Sequence, residues 1–431
     1  KQLGNIIVIH GWIVDPYKKV NSLEISELST TMPIKLSCKM LSFSRPDILE
    51  AFGDAKSELE TGYGFVAVAN VSGDQIGSQL QISLLTKTNK KFKEKFNALN
   101  MPLTMDSLQN LIGIIPNTEV TSERCDKFFK PIFDVFTRNL THAELKLDQV
   151  FGLPLDPPFQ DPPDLSIIIP FYGKTRFELI QIPQFAALQR SNWELVFAID
   201  DPSIVENVIQ NTRRLSSNYG LPIRVLVADR NLGFAGIFIC AARRAKAKTL
   251  LFLNSDCFVT TAKPIDRAWD WLKNSDNGAA GFRLHYANET IQHDGMSVSL
   301  WKNSKDFYLN YHPRIRERSD LNKMKIQNDN SSMLTGACLM LRKQLFEQIG
   351  GFDTCYLRGD FEDSDLCLKI LARGKKLGIV RQKGIYHLER QSISSQSNDL
   401  RQLITLVNSN IYSSRWKKAL EKELPILEVI Q

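Results

Sequence analysis

Asn254, Ser255 and Asp256 follow directly on the unbroken apolar run Leu250, Leu251, Phe252 and Leu253. Such a run is the pattern of a strand covered on both faces in a parallel sheet. Ligands of open α/β sheets bind just beyond the carboxyl ends of these strands. Asp256 is therefore the first candidate for a metal-ligating carboxylate, although Asn, Ser and Asp are also ordinary turn residues. Further along stand Asp360, Glu362, Asp363 and Asp365, four carboxylates in six residues. They open a helical pattern that continues through Leu366, Leu368, Ile370 and Leu371. A carboxylate there could take the proton of an attacking hydroxyl as a general base; acids at a helix start also simply complement its dipole.

These groups need a scaffold, and the chain before Asp256 supplies one. The apolar strand Leu165–Tyr172 ends around Pro170, the strand from Trp193 ends in Asp200 and Asp201, and the strand from Ile223 ends in Asp229. Helical stretches separate them, which implies βαβ units and a parallel sheet. Right-handed crossovers then gather Pro170, Asp200, Asp201, Asn231 and Asp256 along one edge. Gly233 opens a helix after a short polar turn, so backbone can approach a ligand and helix-start amides can point at it. The segment has neither the GK[ST] of a phosphate loop nor the GxGxxG of a dinucleotide fold.

The first residues have a different period. Ile34, Leu36, Cys38 and Met40 alternate with polar residues, as do Leu80, Ile82 and Leu84, with a turn expected at Ser72, Gly73 and Asp74. This is the pattern of half-buried antiparallel strands, read as a small β-sandwich over residues 1–88. Its Trp12, Tyr63 and Phe65 suit core packing or stacking on a sugar. Residues 89–163 read as a helical connector: Phe92, Phe96 and Leu99 on one face, Phe129, Ile132, Phe133 and Phe136 on another, Pro131 near a helix start, and a Thr141–Glu144 capping box before a last short helix. A proline-rich linker closes the connector. Residues 164–395 form the α/β domain, and 396–431 a helical extension.

Composition narrows the classes. A net charge of +7 on 431 residues is mild, and no nucleic-acid motif accompanies it. No apolar run reaches the length of a membrane-spanning helix, and the first residues do not have the form of a signal peptide. The seven cysteines lack paired spacing, which suits buried thiols in a reducing compartment. The expected location is the cytoplasm, with the inner face of the membrane as an alternative.

With these residues assembled, the chain from about Asp164 to Ser392 resembles the family 2 inverting glycosyltransferases. The matching segments begin at Ser166, Ile199, Asn231, Leu253, Thr335, Gly350 and Phe361, and end with Tyr386 and His387, in the family's order. The resemblance implies a GT-A fold and a nucleoside-diphosphate-sugar donor. It places Pro170, Tyr172, Asp200, Asp201, Asn231, Gly233, Phe234, Asn254, Ser255 and Gly336 at the nucleotide sugar. It implies a divalent cation, Mn²⁺ or Mg²⁺, on Asp256 and His387. Among the acids it singles out Asp363 as the base, with Glu362 as its neighbour. Three positions depart from the family pattern: Asn254 replaces the first acid of the DxD element, Ile239 a common polar residue, and Lys369 the usual arginine.

The expected reaction is transfer of the sugar to a hydroxyl of a glycan or lipid-linked acceptor in surface polysaccharide synthesis. A hard cation would stabilise the leaving diphosphate, and a carboxylate opposite would accept the proton. Two other readings stand beside it: a glycan-binding protein on a transferase scaffold, and a sugar-phosphate nucleotidylyltransferase, which would need a basic glycine-rich loop where Phe171–Lys174 stands. His293 is a candidate loop residue near the acceptor, and the basic run Arg314–Lys325 a solvated loop that could close over an anionic donor or touch anionic lipid.

Overall fold

A computed structural model describes residues 2–3, 6–13, 20–28, 33–35, 38–44, 63–70, 79–97, 99, 107, 110–111, 113, 132, 145–152, 162–173, 176–188, 190, 192–300, 307–315, 331–357, 359–388 and 398–430. The chain divides into two units, residues 1–139 with 397–407, and residues 140–396 with 408–431.

In the first unit the period-two segments become two antiparallel sheets. One has the order β1-β2-β6-β5, from β1 (Gln2–Leu3), β2 (Ile6–Ile13), β5 (Cys38–Ser44) and β6 (Tyr63–Asn70). The other has the order β4-β3-β7-β8, from β3 (Val20–Leu28), β4 (Pro33–Lys35), β7 (Gln79–Thr86) and β8 (Lys91–Asn97). Ile7, Ile9, Phe65, Ala67 and Ala69 of the first share a core with Ile25, Leu80, Ile82 and Phe96 of the second, which makes the pair a sandwich. Alternation is imperfect on β7. Gln81 and Ser83 are buried as well, and the Gln81 amide donates to the Ser83 hydroxyl at 3.3 Å.

Two readings of the connector are corrected. Phe92 and Phe96 lie on a strand, β8, because the Lys–Phe–Lys–Glu–Lys–Phe alternation pairs with β7 across Leu84 and Leu80. After the capping-box residues comes a strand, β9 (Leu145–Phe151), since its alternating Leu145, Leu147 and Gln149 can add to an open sheet edge. The Ser72–Asp74 turn, the capping box itself and most of the Phe129–Phe136 face lie outside the described residues; Ile132 is helical and buried.

The second unit is built on a nine-stranded, mostly parallel sheet of order β23-β21-β15-β20-β13-β10-β11-β12-β9. Its strands are β9, β10 (Leu165–Phe171), β11 (Trp193–Ile199), β12 (Ile223–Ala228), β13 (Thr249–Leu253), β15 (Asn277–Phe282), β20 (Cys338–Arg342), β21 (Lys376–Val380) and β23 (Glu428–Ile430). The four strands β13, β10, β11 and β12 are parallel neighbours, as the βαβ reading requires. Their apolar runs are buried on both faces, Ile167, Ile168, Ile169, Val196, Phe197 and Leu251 among them.

The intervening helices are α1 (Glu178–Leu188), α2 (Val205–Tyr219), α3 (Gly233–Arg244) and α4 (Lys263–Leu272), followed by α5 (Lys343–Gln348), α6 (Glu362–Leu371) and α7 (Asn398–Leu420). α2 stops at Gly220, whose φ of 60° is the left-handed end that glycine accepts without a Cβ penalty. At the edges, β9 runs antiparallel to β12, and β23 adds parallel to β21, so the C-terminal extension ends in a sheet strand as well as carrying a helix. A small sheet of order β14-β22-β16-β17 lies beside the strand ends, from β14 (Cys257–Val259), β16 (Leu284–His285), β17 (Ile291–His293) and β22 (Ile385–His387). The antiparallel hairpin of β18 (Ser297–Leu300) and β19 (Tyr308–Tyr311) follows β17 in the chain. No helix among the described residues is long and apolar enough to cross a membrane.

Candidate active site

At the carboxyl edge of the sheet, hydrogen bonds tie the strand ends to one another. The amide of Asp200 donates to the carbonyl of Phe171 at 2.9 Å, and Gly173 N donates to Asp201 Oδ2 at 3.1 Å. Asp201 Oδ1 accepts from the amide and hydroxyl of Ser203, so this carboxylate closes the turn into α2. Pro170 lies within β10, half-buried, and Tyr172 stands exposed just after it.

Asp200 is buried, and its Oδ1 accepts from Leu232 N at 2.7 Å, while Asn231 Oδ1 accepts from Gly233 N at 2.9 Å. Burial drives the carboxyl of Asp200 well above the usual carboxylate range, against the pull of the Leu232 and Gly233 amides. The first amides of α3, expected to face a ligand, are thus taken by Asp200 and Asn231. Gly233 has φ +72°, a conformation that favours glycine. Phe234 stacks edge-on against Phe238 and Phe352, part of an aromatic wedge behind the edge.

Past β13, Cys257 N donates to Asn254 O at 3.0 Å, so Asn254–Cys257 is a tight turn that carries Asp256 at its bend. Asp256 and Ser255 are buried, and Asn254 Oδ1 is buried without a hydrogen-bond partner among the described residues. The strand β14 that follows pairs antiparallel with β22, Cys257 opposite His387. This pairing brings His387 Nε2 to 3.2 Å from Asp256 Oδ1. His387 Nδ1 lies 3.3 Å from Gln292 Oε1; the tautomer that donates to this oxygen would turn the Nε2 lone pair toward Asp256, an arrangement that a cation between them would stabilise. Asp256, Cys257 and His387 form a group whose ligand atoms all lie within 4.8 Å of one another. A carboxylate, an imidazole nitrogen and a nearby orphaned amide oxygen are a donor set that fits a divalent cation.

The acidic helix start lies across a short turn from this position. Asp363 Oδ2 accepts from Gly336 N at 3.0 Å, and Asp363 Oδ1 accepts from Ser364 N at 2.7 Å. The next carbonyl, Ala337 O, accepts from Asn254 N at 2.9 Å and from Cys257 Sγ at 3.4 Å. Gly336 fits because a Cβ there would stand 3.1 Å from the Phe234 ring and 3.4 Å from Asp363.

Burial pushes Asp363 up to about 6, held from rising further by the Gly336 and Ser364 amides. Glu362 is driven well above its usual value, first by burial and then by Asp363, and its Oε2 has no hydrogen-bond partner among the described residues. Two adjacent carboxyls, Glu362 buried and Asp363 half-buried, cannot both be charged cheaply, and the two backbone amides that Asp363 accepts favour its charged form. Just before them, Phe361 has φ +80°, left-handed for a non-glycine residue, and the rings of Tyr356 and Tyr412 pack on it. Such a conformation costs about 1–3 kcal/mol and persists where the surroundings over-determine it. Asp365 is a structural anchor: it binds Lys369 at 2.8 Å, Arg415 at 2.8 Å, Trp416 Nε1 at 2.7 Å and the Tyr356 hydroxyl at 3.1 Å.

Two loop expectations are revised. His293 ends strand β17 and is buried, its Nε2 accepting from Gly295 N at 3.2 Å and its Nδ1 3.1 Å from His312 Nδ1. Burial, then His312 and His387, hold it well below the usual imidazole range, so it is neutral. His387 is a strand residue as well. Arg314 is buried and, with Arg283 and Arg381, binds the buried carboxylate of Asp294, because three guanidiniums offset the desolvation of one acid. Residues 316–325 of that basic run lie outside the described residues.

The sequence reading missed Gln292 and Gln181. Gln181 could have been noticed, with Gln184, as an amide inside the mainly apolar α1 stretch from Ile180 to Phe185; Gln292 has no local signal, since its role exists only once β16 joins β17 and β22 in one sheet.

Comparison with known proteins gives three likenesses. The chain is 23% identical over 263 residues to the uncharacterized protein y4gI of Sinorhizobium fredii (strain NBRC 101917 / NGR234), which covers 60% of this chain and 28% of that protein. It is 26% identical over 248 residues to the O-antigen biosynthesis protein RfbC of Myxococcus xanthus, 54% of this chain and 17% of that one. The chain thus spans between a sixth and a third of the length of these curated relatives. A solved structure of GalNAc-T7 with UDP, GalNAc and Mn²⁺ aligns with a TM-score of 0.43 at 15% identity, over 57% of this chain and 47% of that one. The description "Glycosyl transferase family 2" matches residues 166–350, from the first strand of the parallel sheet through α5. By that match the segment 166–350 is similar to glycosyl transferase family 2.

Proposed function

We propose that the chain is a metal-dependent inverting glycosyltransferase, moving a sugar from a nucleoside-diphosphate sugar to a hydroxyl of a glycan or lipid-linked acceptor in surface polysaccharide synthesis. The observation that carries this reading is the turn at Gly336 and Ala337. One residue binds the carboxylate of Asp363 and the next binds the turn that presents Asp256, so a base candidate and a cation-ligand candidate are joined through two adjacent residues. The family match of residues 166–350 supports the reaction class, and the likeness to RfbC supports the polysaccharide context.

In this reading Asp256 and His387 hold the cation, Mn²⁺ or Mg²⁺, which when bound supplies Lewis-acid stabilisation to the departing diphosphate. Pro170, Tyr172, Asp200, Asp201, Asn231, Gly233, Phe234, Asn254, Ser255 and Gly336 line the nucleotide sugar. Asp200 and Asn231 act by fixing the start of α3 along the nucleotide. Asp363 receives the acceptor proton, and the protonated Glu362 donates a hydrogen bond to acceptor or loop. The β-sandwich is an accessory module for a glycan acceptor or a partner. The test is to incubate the full chain with a panel of nucleotide sugars and oligosaccharide acceptors, detect released nucleoside diphosphate, and determine the anomeric configuration of the product by NMR. Release with an inverted anomeric centre is expected. No release from any donor in the presence of acceptor, or a product of retained configuration, would overturn the proposal.

A further inference from the structure

Among the described residues β14 is the terminal strand of its small sheet, with no strand beside one of its edges. That edge is met by helix α1. Gln181 and Gln184, three residues apart and so on one helix face, both reach it. Gln181 Nε2 donates to Ser255 O at 2.9 Å and to Cys257 O at 2.6 Å, and Gln184 Oε1 accepts from Val259 N at 3.0 Å. Between the two carbonyls held by Gln181 lies Asp256, whose own carbonyl turns the other way and accepts from Leu388 N at 3.1 Å. Asp256 is therefore gripped on both sides of its backbone, by a helix amide on one and by the residue after His387 on the other.

The orientation of the Gln181 amide is dictated by this arrangement. Both neighbours are carbonyls, so only the NH₂ end can face them, and Oε1 is left buried without a partner among the described residues. An orphaned buried acceptor of this kind has given up its hydration with nothing in return. A methionine or leucine would fill the same fully buried space without that orphan, but would leave the carbonyls of Ser255 and Cys257 without their donor. What the amide adds is a fixed position for the two peptide groups that flank Asp256. Gln184 grips the strand two residues further on, away from the carboxylate.

We infer that Gln181 is a positioning residue for the cation site, holding the Asp256 carboxylate in register with His387 Nε2. The inference rests on the reading of Asp256 and His387 as cation ligands. It is tested by titrating the full chain with Mn²⁺ in the presence of inorganic pyrophosphate, following free Mn²⁺ by electron paramagnetic resonance, with thermal melting recorded alongside. Wild type should bind and Asp256→Ala should not. Gln181→Met should weaken Mn²⁺ binding by roughly tenfold or more, the range for residues that orient ligands, whereas Gln184→Met should stay within about twofold of wild type. Both methionine variants should melt lower than wild type, Gln181→Met by more because it gives up two hydrogen bonds against one, and Mn²⁺ is titrated below the onset of melting so that affinity is read on folded protein.

Mn²⁺ affinity of Gln181→Met within about twofold of wild type, or an equal loss in Gln184→Met, would overturn the inference. Gln181→Asn keeps the amide but cannot span both carbonyls; it replaces the methionine variant if that one does not fold, and unchanged affinity there overturns the inference equally. Absence of Mn²⁺ binding by the wild-type chain would remove the cation reading itself, and this inference with it.

Discussion

His387 Nε2 stands 3.2 Å from Asp256 Oδ1, and the two belong to strands β22 and β14 that pair with Cys257 opposite His387. The ladder, rather than a flexible loop, sets their separation. Donation from Nδ1 to Gln292 would hold the imidazole with its other nitrogen toward the carboxylate. If this pair receives a cation, chelator should abolish sugar transfer and Mn²⁺ or Mg²⁺ should restore it. His387→Ala should weaken metal-dependent nucleotide binding by roughly 10- to 100-fold, measured by calorimetry with and without metal. Full turnover in excess chelator would remove both residues from this role.

Replacement of Asp363 by asparagine keeps the side-chain size and an oxygen for Gly336 N. Turnover should fall by about 10²- to 10⁴-fold while donor affinity stays near that of wild type, because the lost interaction is with the acceptor proton in the transition state. Should Glu362→Gln lose turnover and Asp363→Asn keep it, the base would have to be reassigned to Glu362.

The pH dependence has two opposed parts. Asp363 must be ionised to accept a proton, so activity should fall as pH drops through about 6. Stability moves the other way: a carboxyl whose pKa is raised on folding binds its proton more tightly in the folded state. Its favourable contribution is present under acid conditions and is lost as pH rises from the unfolded value through the folded one. Asp363→Asn gives up one of the two amide bonds at every pH, so its stability relative to wild type should be poorest at about pH 4 and improve as pH rises to about 7, where the wild-type charge is present. A mutant that is less stable by the same amount at both values would contradict the buried-charge argument.

Asp200 bonds the first turn of α3 through Leu232 N. Asp200→Ala leaves that amide without its acceptor and should lower stability by about 1–3 kcal/mol in denaturant unfolding. Donor binding should weaken as well, since Asn231, Gly233 and Phe234 follow this turn. Unchanged donor affinity in the folded variant would limit Asp200 to a structural part.

A chain beginning at Leu140 keeps β9, whereas one beginning at Pro157 exposes the edge of β12 and removes Asp148, the 2.8 Å partner of Arg224. The shorter chain should melt at lower temperature and aggregate more readily, as exposed strand edges do. Equal melting and solubility would show that β9 is dispensable to the sheet.

Much of this site is legible in local pattern. The runs Ile167–Ile169, Val196–Ile199 and Leu250–Leu253 can only be satisfied by burial on both faces, and right-handed crossovers then bring Asp200, Asn231 and Asp256 to one edge. The alternation of Leu80 and Ile82 likewise determines a half-buried strand in a sandwich, because one face of such a strand must find a core. Edge strands are different. β8, β9 and β23 have mixed or amphipathic sequences whose periodicity is compatible with helix, and an open sheet edge decides their state by offering hydrogen bonds. The partners of the site are also tertiary. Nothing near Gln181 in sequence indicates Ser255 and Cys257, and nothing near Gln292 indicates His387, since each contact crosses more than seventy residues. Residue type and period determined where Asp256 and Asp363 could act; the packing of α1, β17 and the Gly336 turn decided what holds them, because hydrogen bonds at those separations exist only after the chain has closed.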